Sequence, residues 1–79
     1  MSPQASIERF ILDELLLGSR TTIESDESLL ASGVVDSLAL LRLIGFIEEH
    51  FGVVIEDHEV APENFESINV MTALVESKR

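Results

Sequence analysis

Ser37, set between Asp36 and Leu38 at the end of the stretch Gly33-Val34-Val35, is the residue of this chain best placed to do chemistry. A loop gives way there to a strongly apolar helix, so one hydroxyl is expected to stand exposed at a helix start. Asp36 and Ser37 both have short polar side chains that accept from the free N–H groups of a first helical turn, so a helix beginning here is well signalled. A phosphate attached to the Ser37 oxygen would sit at the positive end of that helix, where backbone donors and the macrodipole favour an anion. The rival chemistry is nucleophilic, with a histidine as base. Thirteen residues of one helix separate Ser37 from His50, about 20 Å at ~1.5 Å per residue, which is too far for a hydrogen-bonded dyad. His58 lies in an acidic connector, and no Gly-x-Ser-x-Gly elbow surrounds Ser37, so a serine hydrolase is set aside. Asp26, Glu27, Glu56, Asp57 and Glu59 do not follow the spacing of a calcium loop, and the histidines have no cysteine partners for zinc. No metal site is expected, and both histidines are expected to be exposed.

The elements that must position Ser37 follow from the hydrophobic periods. Ile7, Phe10, Ile11 and Leu15 fall near i, i+3, i+4 and i+8, which predicts an amphipathic helix over about 4–17 with Pro3 before it and Gly18 after it. Residues 18–36 are rich in Ser, Thr, Asp and Glu with no sustained period, and are expected to form a long loop pinned by Leu29 and Leu30, with a short turn at Asp26 to Ser28. Leu40, Leu43, Ile44, Ile47 and Phe51 repeat at helical spacing and Gly52 offers a left-handed stop, predicting a central helix over about 37–51. Leu38, Leu41 and Phe46 point away from that stripe. Either all three are buried on other sides of a small bundle, or Leu38 and Leu41 are partly exposed as docking residues beside Ser37.

Val53-Val54-Ile55 has no strand to pair with and reads as an extended connector. Residues 57–66 are acidic and broken by Pro62, leaving room for one short helical turn, with Val60 and Phe65 anchoring inward. Ser67 caps a last helix over about 68–77, with Val70, Met71, Leu74 and Val75 as its buried face.

Seventy-nine residues bound the answer to one small domain with little room for an enclosed active site. Hydrophobic residues make up 46% of the chain, enough for a core and against disorder. There is no cysteine, so any thiol chemistry must be imported on a prosthetic group. The formal net charge of −10 repels phosphate backbones and anionic membranes, which argues against nucleic acid and for basic protein partners. The apolar run around 10–17 is interrupted by Asp13 and Glu14 and lacks a basic lead, so it is neither a signal peptide nor a membrane span, and a cytoplasmic monomer is expected.

Three segments together carry a resemblance: Leu29-Leu30-Ala31-Ser32-Gly33-Val34-Val35-Asp36-Ser37-Leu38, Ile47-Glu48-Glu49-His50-Phe51-Gly52-Val53, and Glu63-Asn64-Phe65-Glu66-Ser67-Ile68. At these spacings the chain resembles the acyl carrier protein family over nearly its full length. The resemblance implies an all-α fold, a small four-helix bundle of three main helices and one short one with a long first loop. It further implies a 4′-phosphopantetheine arm on Ser37 that holds an acyl or aminoacyl group as a thioester. The chain would then be a carrier and not an enzyme, with Asp36 supporting transfer of the arm and Leu38, Leu41, Arg42, Glu48 and Glu49 meeting partners. Those partners would be a phosphopantetheinyl transferase, a ligase that loads the acyl or aminoacyl group, and downstream transferases or synthases.

Carriers of the fatty-acid type usually have acidic residues two and five positions after the serine, where this chain has Ala39 and Arg42. That departure points to a specialised pathway, with a cargo such as an amino acid loaded by an adenylating ligase. A housekeeping fatty-acid carrier and an unmodified helical adaptor are the rival readings.

Overall fold

A computed structural model describes residues 2–79. Its first helix, α1 (Pro3–Phe10), begins where the sequence supplies both halves of a helix start: Ser2 Oγ accepts the Ala5 N–H at 3.2 Å, and Pro3 occupies the first helical position, where a missing N–H costs nothing. Past Phe10 the helix loosens into a π-turn, Ile11–Leu15, marked by the Leu16 N–H donating to the Ile11 carbonyl at 2.9 Å. Helical character therefore stops at Leu15, short of 17. Leu17 itself takes the left-handed conformation (φ 51°) ahead of Gly18 (φ 80°), whose N–H reaches back to the Leu12 carbonyl at 3.0 Å. A left-handed leucine is unfavourable by roughly 1 kcal/mol or more, and this one is also 81% exposed.

No helix forms between residues 16 and 36. The segment is nonetheless ordered, because its apolar residues Ile23, Leu29 and Val35 are buried and its polar groups find partners. Leu29 N–H donates to the Glu66 carbonyl at 2.7 Å, Asn69 N–H to the Ser25 carbonyl at 2.9 Å, and Ile23 N–H to Glu8 Oε2 at 3.3 Å. Arg20 grips Glu27 with two parallel bonds of 2.8 Å, which holds the Glu27 carboxyl below its ordinary range. Leu29 is the anchor of the pair, while Leu30 is only half-buried. Turns fall at Ser25–Asp26 and over 29–33 in place of one at Asp26 to Ser28.

The central helix, α2 (Ser37–Phe51), buries Ala39, Leu43 and Ile47, a stripe at four-residue spacing. Gly52 (φ 69°) closes it with an N–H to the Glu48 carbonyl at 3.0 Å. Phe46 does not face solvent alone. Its ring stacks on Phe10 of α1 at 4.3 Å, and α1 and α2 meet through this pair.

After Gly52 the chain runs extended, with Ile55 turned in and Val54 turned out. Two 3-10 turns follow, Asp57–Glu59 and Pro62–Phe65, where a single short helix was expected. Pro62 has no N–H to continue the first turn and instead starts the second. Phe65 is fully buried, but Val60 is 40% exposed and does not anchor the connector. The last helix, α3 (Ile68–Lys78), is capped by Ser67 Oγ, which accepts the Val70 N–H at 3.2 Å. Its buried face is Ile68, Met71 and Val75, while Val70 lies outside and Leu74 at the margin. Burial by Ser67 and Phe65 at the entry fixes the helix's rotation and turns Ile68 inward.

The described residues are thus all helix, turn and coil, with α1 packed chiefly on α3 and one core shared by all three helices and the loop. None of the helices is long and apolar enough to cross a membrane.

Candidate functional site

Ser37 is the first residue of α2, and its neighbours are fixed more firmly than it is. Val35 is buried and donates its N–H to the Leu29 carbonyl at 3.0 Å, while Gly33 (φ 81°) makes the left-handed turn that brings the loop to the helix. Asp36 is extended, and its Oδ1 accepts the Ala39 N–H at 2.9 Å. Of the two residues able to cap α2, Asp36 does so. The Ser37 side chain is exposed and makes no hydrogen bond among the described residues. Most of the other serine hydroxyls are engaged, as caps at Ser2 and Ser67 and in loop or helix bonds at Ser28, Ser32 and Ser77.

Two clefts flank the serine. One, of about 400 Å³, runs toward the end of the π-turn and is lined by Leu15, Leu16, Val34, Leu38 and Arg42. The other, of about 220 Å³, lies on the opposite side between Leu30, Val35, Leu40 and Pro62. Both are open at the surface, so neither encloses a reaction.

The structure sorts the expected partner-facing residues. Leu38 and Leu41 are 68% and 64% exposed, and with Ser37 they share one outward face of α2. Arg42 is on the same face but is already engaged: its guanidinium donates to the Glu14 carbonyl at 3.0 Å and to Glu14 Oε1 at 3.3 Å, and lies 5.9 Å from the Phe10 ring centroid. Glu48, seven residues on from Leu41, is half-buried, and its Oε2 accepts the Ile55 N–H at 2.9 Å, so it holds the connector. Glu49 is exposed and makes no ion pair among the described residues.

Ala39, expected on the docking face, is 7% exposed. An acid there would be buried, which gives a packing reason for alanine two positions after the serine. Its spacing of four from Leu43 and eight from Ile47 was the available signal. His50 is exposed at the far end of α2, stacked on Phe46 at 4.9 Å, and His58 is exposed in the first 3-10 turn. Neither histidine bonds to Ser37, and no acid–base pair forms around the hydroxyl. The arrangement offers an accessible oxygen at the positive end of a helix, beside apolar side chains, with nothing to activate it from within.

Comparison with known proteins agrees with that geometry. The family model described as "Phosphopantetheine attachment site" matches residues 11–75. The probable acyl carrier protein PigG of Serratia sp. (strain ATCC 39006) is 29% identical over 73 residues, covering 92% of this chain and 84% of the relative. A solved structure, the crystal structure of FAD-dependent dehydrogenase, contains a chain that is 35% identical with a TM-score of 0.78, covering 87% of this chain and 97% of that one. The chain belongs to the phosphopantetheine-binding acyl carrier protein family. It is a carrier in a biosynthetic pathway, and it bears 4′-phosphopantetheine covalently on a serine.

Proposed function

We propose that Ser37 is the serine that bears the arm, and that the protein presents an acyl or aminoacyl group to partner enzymes of a specialised pathway without being a catalyst itself. The observation that carries this reading is the uncommitted, exposed hydroxyl at the start of α2, freed for modification because Asp36 caps the helix in its place. The residues around it suit the group: first-turn N–H groups favour the phosphodiester, and Leu38 and Leu41 give an apolar margin. When bound, the arm supplies the thiol that the chain lacks and holds the cargo as a thioester.

Asp36 supports transfer of the arm by its charge beside the hydroxyl, and Leu38 and Leu41 are the main partner contacts, with Arg42 and Glu49 at their edge. The specialised role is supported by α2's front face, which has no free acidic residue over its first three turns for a basic fatty-acid synthase enzyme to grip. The solved relative comes from the crystal structure of FAD-dependent dehydrogenase, and a flavin-dependent dehydrogenase acting on the tethered cargo is the partner we propose after loading.

Incubation with coenzyme A, magnesium and a phosphopantetheinyl transferase, followed by intact-mass measurement and peptide mapping, tests the assignment. The wild type should gain one arm, on Ser37, and Ser37→Ala should gain none while keeping its melting temperature. An arm on another serine, or on Ser37→Ala, would overturn it.

A further inference from the structure

The two clefts beside Ser37 differ in what they can hold. The cleft at Pro62, about 220 Å³, is walled by Leu30, Val35, Leu40 and a proline that has no N–H. A ligand with amides would lose water there and find little to bond in return. The cleft toward the π-turn, about 400 Å³, lies inside the ~300–1,000 Å³ range of small-molecule sites, and the first does not. Its lining mixes apolar and polar groups. Leu15, Leu16 and Leu38 are the apolar ones. Val34, half-buried and part of the same lining, has a backbone N–H and carbonyl with no partner among the described residues. Arg42 gives one N–H to the Glu14 carbonyl and one to Glu14 Oε1, and its other donors are unpaired among the described residues. It is the one Lys or Arg that lines either cleft.

We infer that the cleft toward the π-turn is the resting place of the chain's own arm: from Ser37 the phosphopantetheine folds back toward Leu15 and Leu16, its amide carbonyls accepting from Arg42 and from the Val34 N–H. The inference rests on Ser37 being the modified serine. Attachment there fixes the occupant, because Asp36 and Leu38, on either side of Ser37, both line the cleft. A tethered group meets such a site at an effective concentration in the millimolar range, so a site of only millimolar affinity is filled about half of the time. Charge acts in the same direction. The arm brings a phosphodiester anion to a chain of net charge −10, whose carboxylates repel it, and Arg42 is the cation the cleft offers. Arg42 is thus a positioning residue for the arm, and Glu14 competes with the arm for its guanidinium.

The test uses the protein with an isotope-labelled arm attached and its position mapped by mass spectrometry. It reads nuclear Overhauser contacts of the arm, and the backbone shift changes between unmodified and modified protein, in wild type, Arg42→Met and Glu14→Gln. In wild type the methyl groups of the arm should contact Leu15, Leu16 and Val34. Arg42→Met keeps the apolar stem and removes the donors, so it should reduce the shift changes at those residues by about half or more, in step with the filled fraction. Glu14→Gln should increase them, because a neutral amide releases the guanidinium to the arm. Opposite signs mark competition, whereas a strap that only held the π-turn to α2 would be weakened by either variant and would move both the same way. Contacts to Leu30, Leu40 and Pro62, or contacts that stop at Asp36 and Leu38, would overturn the inference. So would shift changes that Arg42→Met leaves at the wild-type level, or changes of one sign in both variants. An arm mapped to another serine overturns the assignment of Ser37 instead.

Discussion

Asp36 holds the first turn of α2 through one hydrogen bond, from the Ala39 N–H, and sits one residue from the oxygen to be modified. Its two duties can be separated by substitution. An asparagine caps as well as an aspartate, whereas alanine at such a position typically costs about 1 kcal/mol. Asp36→Asn should therefore melt like wild type and still accept the arm more slowly, while Asp36→Ala should lose both stability and rate. Denaturant titration alongside transferase kinetics checks this, and wild-type kinetics in the asparagine variant would reduce Asp36 to a cap. At this scale the sequence was readable where a residue's role is local, since capping at 36 and 67 is a matter of side-chain length and the next three residues. It was less readable at Ala39 and Arg42, whose surroundings come from elsewhere in the chain: α2's rotation buries the first, and Glu14 engages the second from 28 residues away.

Among the elements, the connector after α2 depends most on polar contacts. Glu48 holds the Ile55 N–H, and Lys78 at the end of α3 pairs with Glu59 in the first 3-10 turn, both side chains being mostly covered. The Glu59 carboxyl is held below its ordinary value, first by the hydrogen bond from Lys78 and then by the Glu56 N–H. A carboxylate whose pKa falls on folding gives stability that is full above its unfolded value, near 4.5, and is lost as pH drops through the lower folded value. Lys78→Met should accordingly melt below wild type near neutral pH, and the gap should close as the pH falls below the unfolded value and through the lower folded one. A gap that persists in acid would mean that Lys78 works by packing.

The three helices could be read from their periods and caps because each buries one stripe. What could not be read was how the intervening segments are built. The π-turn, the two 3-10 turns and the outward Val60 follow from hydrogen bonds and packing with distant residues, which no local period reports. Val70 lies outside the buried face and Ile68 inside it for the same reason: both fit an apolar face, and only the entry at Phe65 and Ser67 decides which turns inward.

For the molecule as a whole, the charges divide unevenly. All five Lys and Arg side chains are in ion pairs, with Asp13, Glu27, Glu14, Glu59 and Glu76, which leaves ten carboxylates without a cation among the described residues. Repulsion among those ten should outweigh the mostly exposed pairs, whose attraction the solvent screens. Raising salt from near zero to about 0.15 M, where the screening length is about 8 Å, should therefore raise the melting temperature while slowing association with basic enzymes. A melting temperature that falls over that range would show the pairs to be the stronger influence.

The π-turn at Ile11–Leu15 has a different kind of consequence, one for descent. Such a turn contains one residue more than a regular helix needs over the same length, which is the mark that a one-residue insertion absorbed without unwinding would leave. A relative whose first helix is regular should align to this chain only across a one-residue gap between positions 11 and 15. Deletion of one residue there would restore an even helix and swing Leu17 about 100° around its axis, carrying that exposed leucine off the side of the molecule it now occupies.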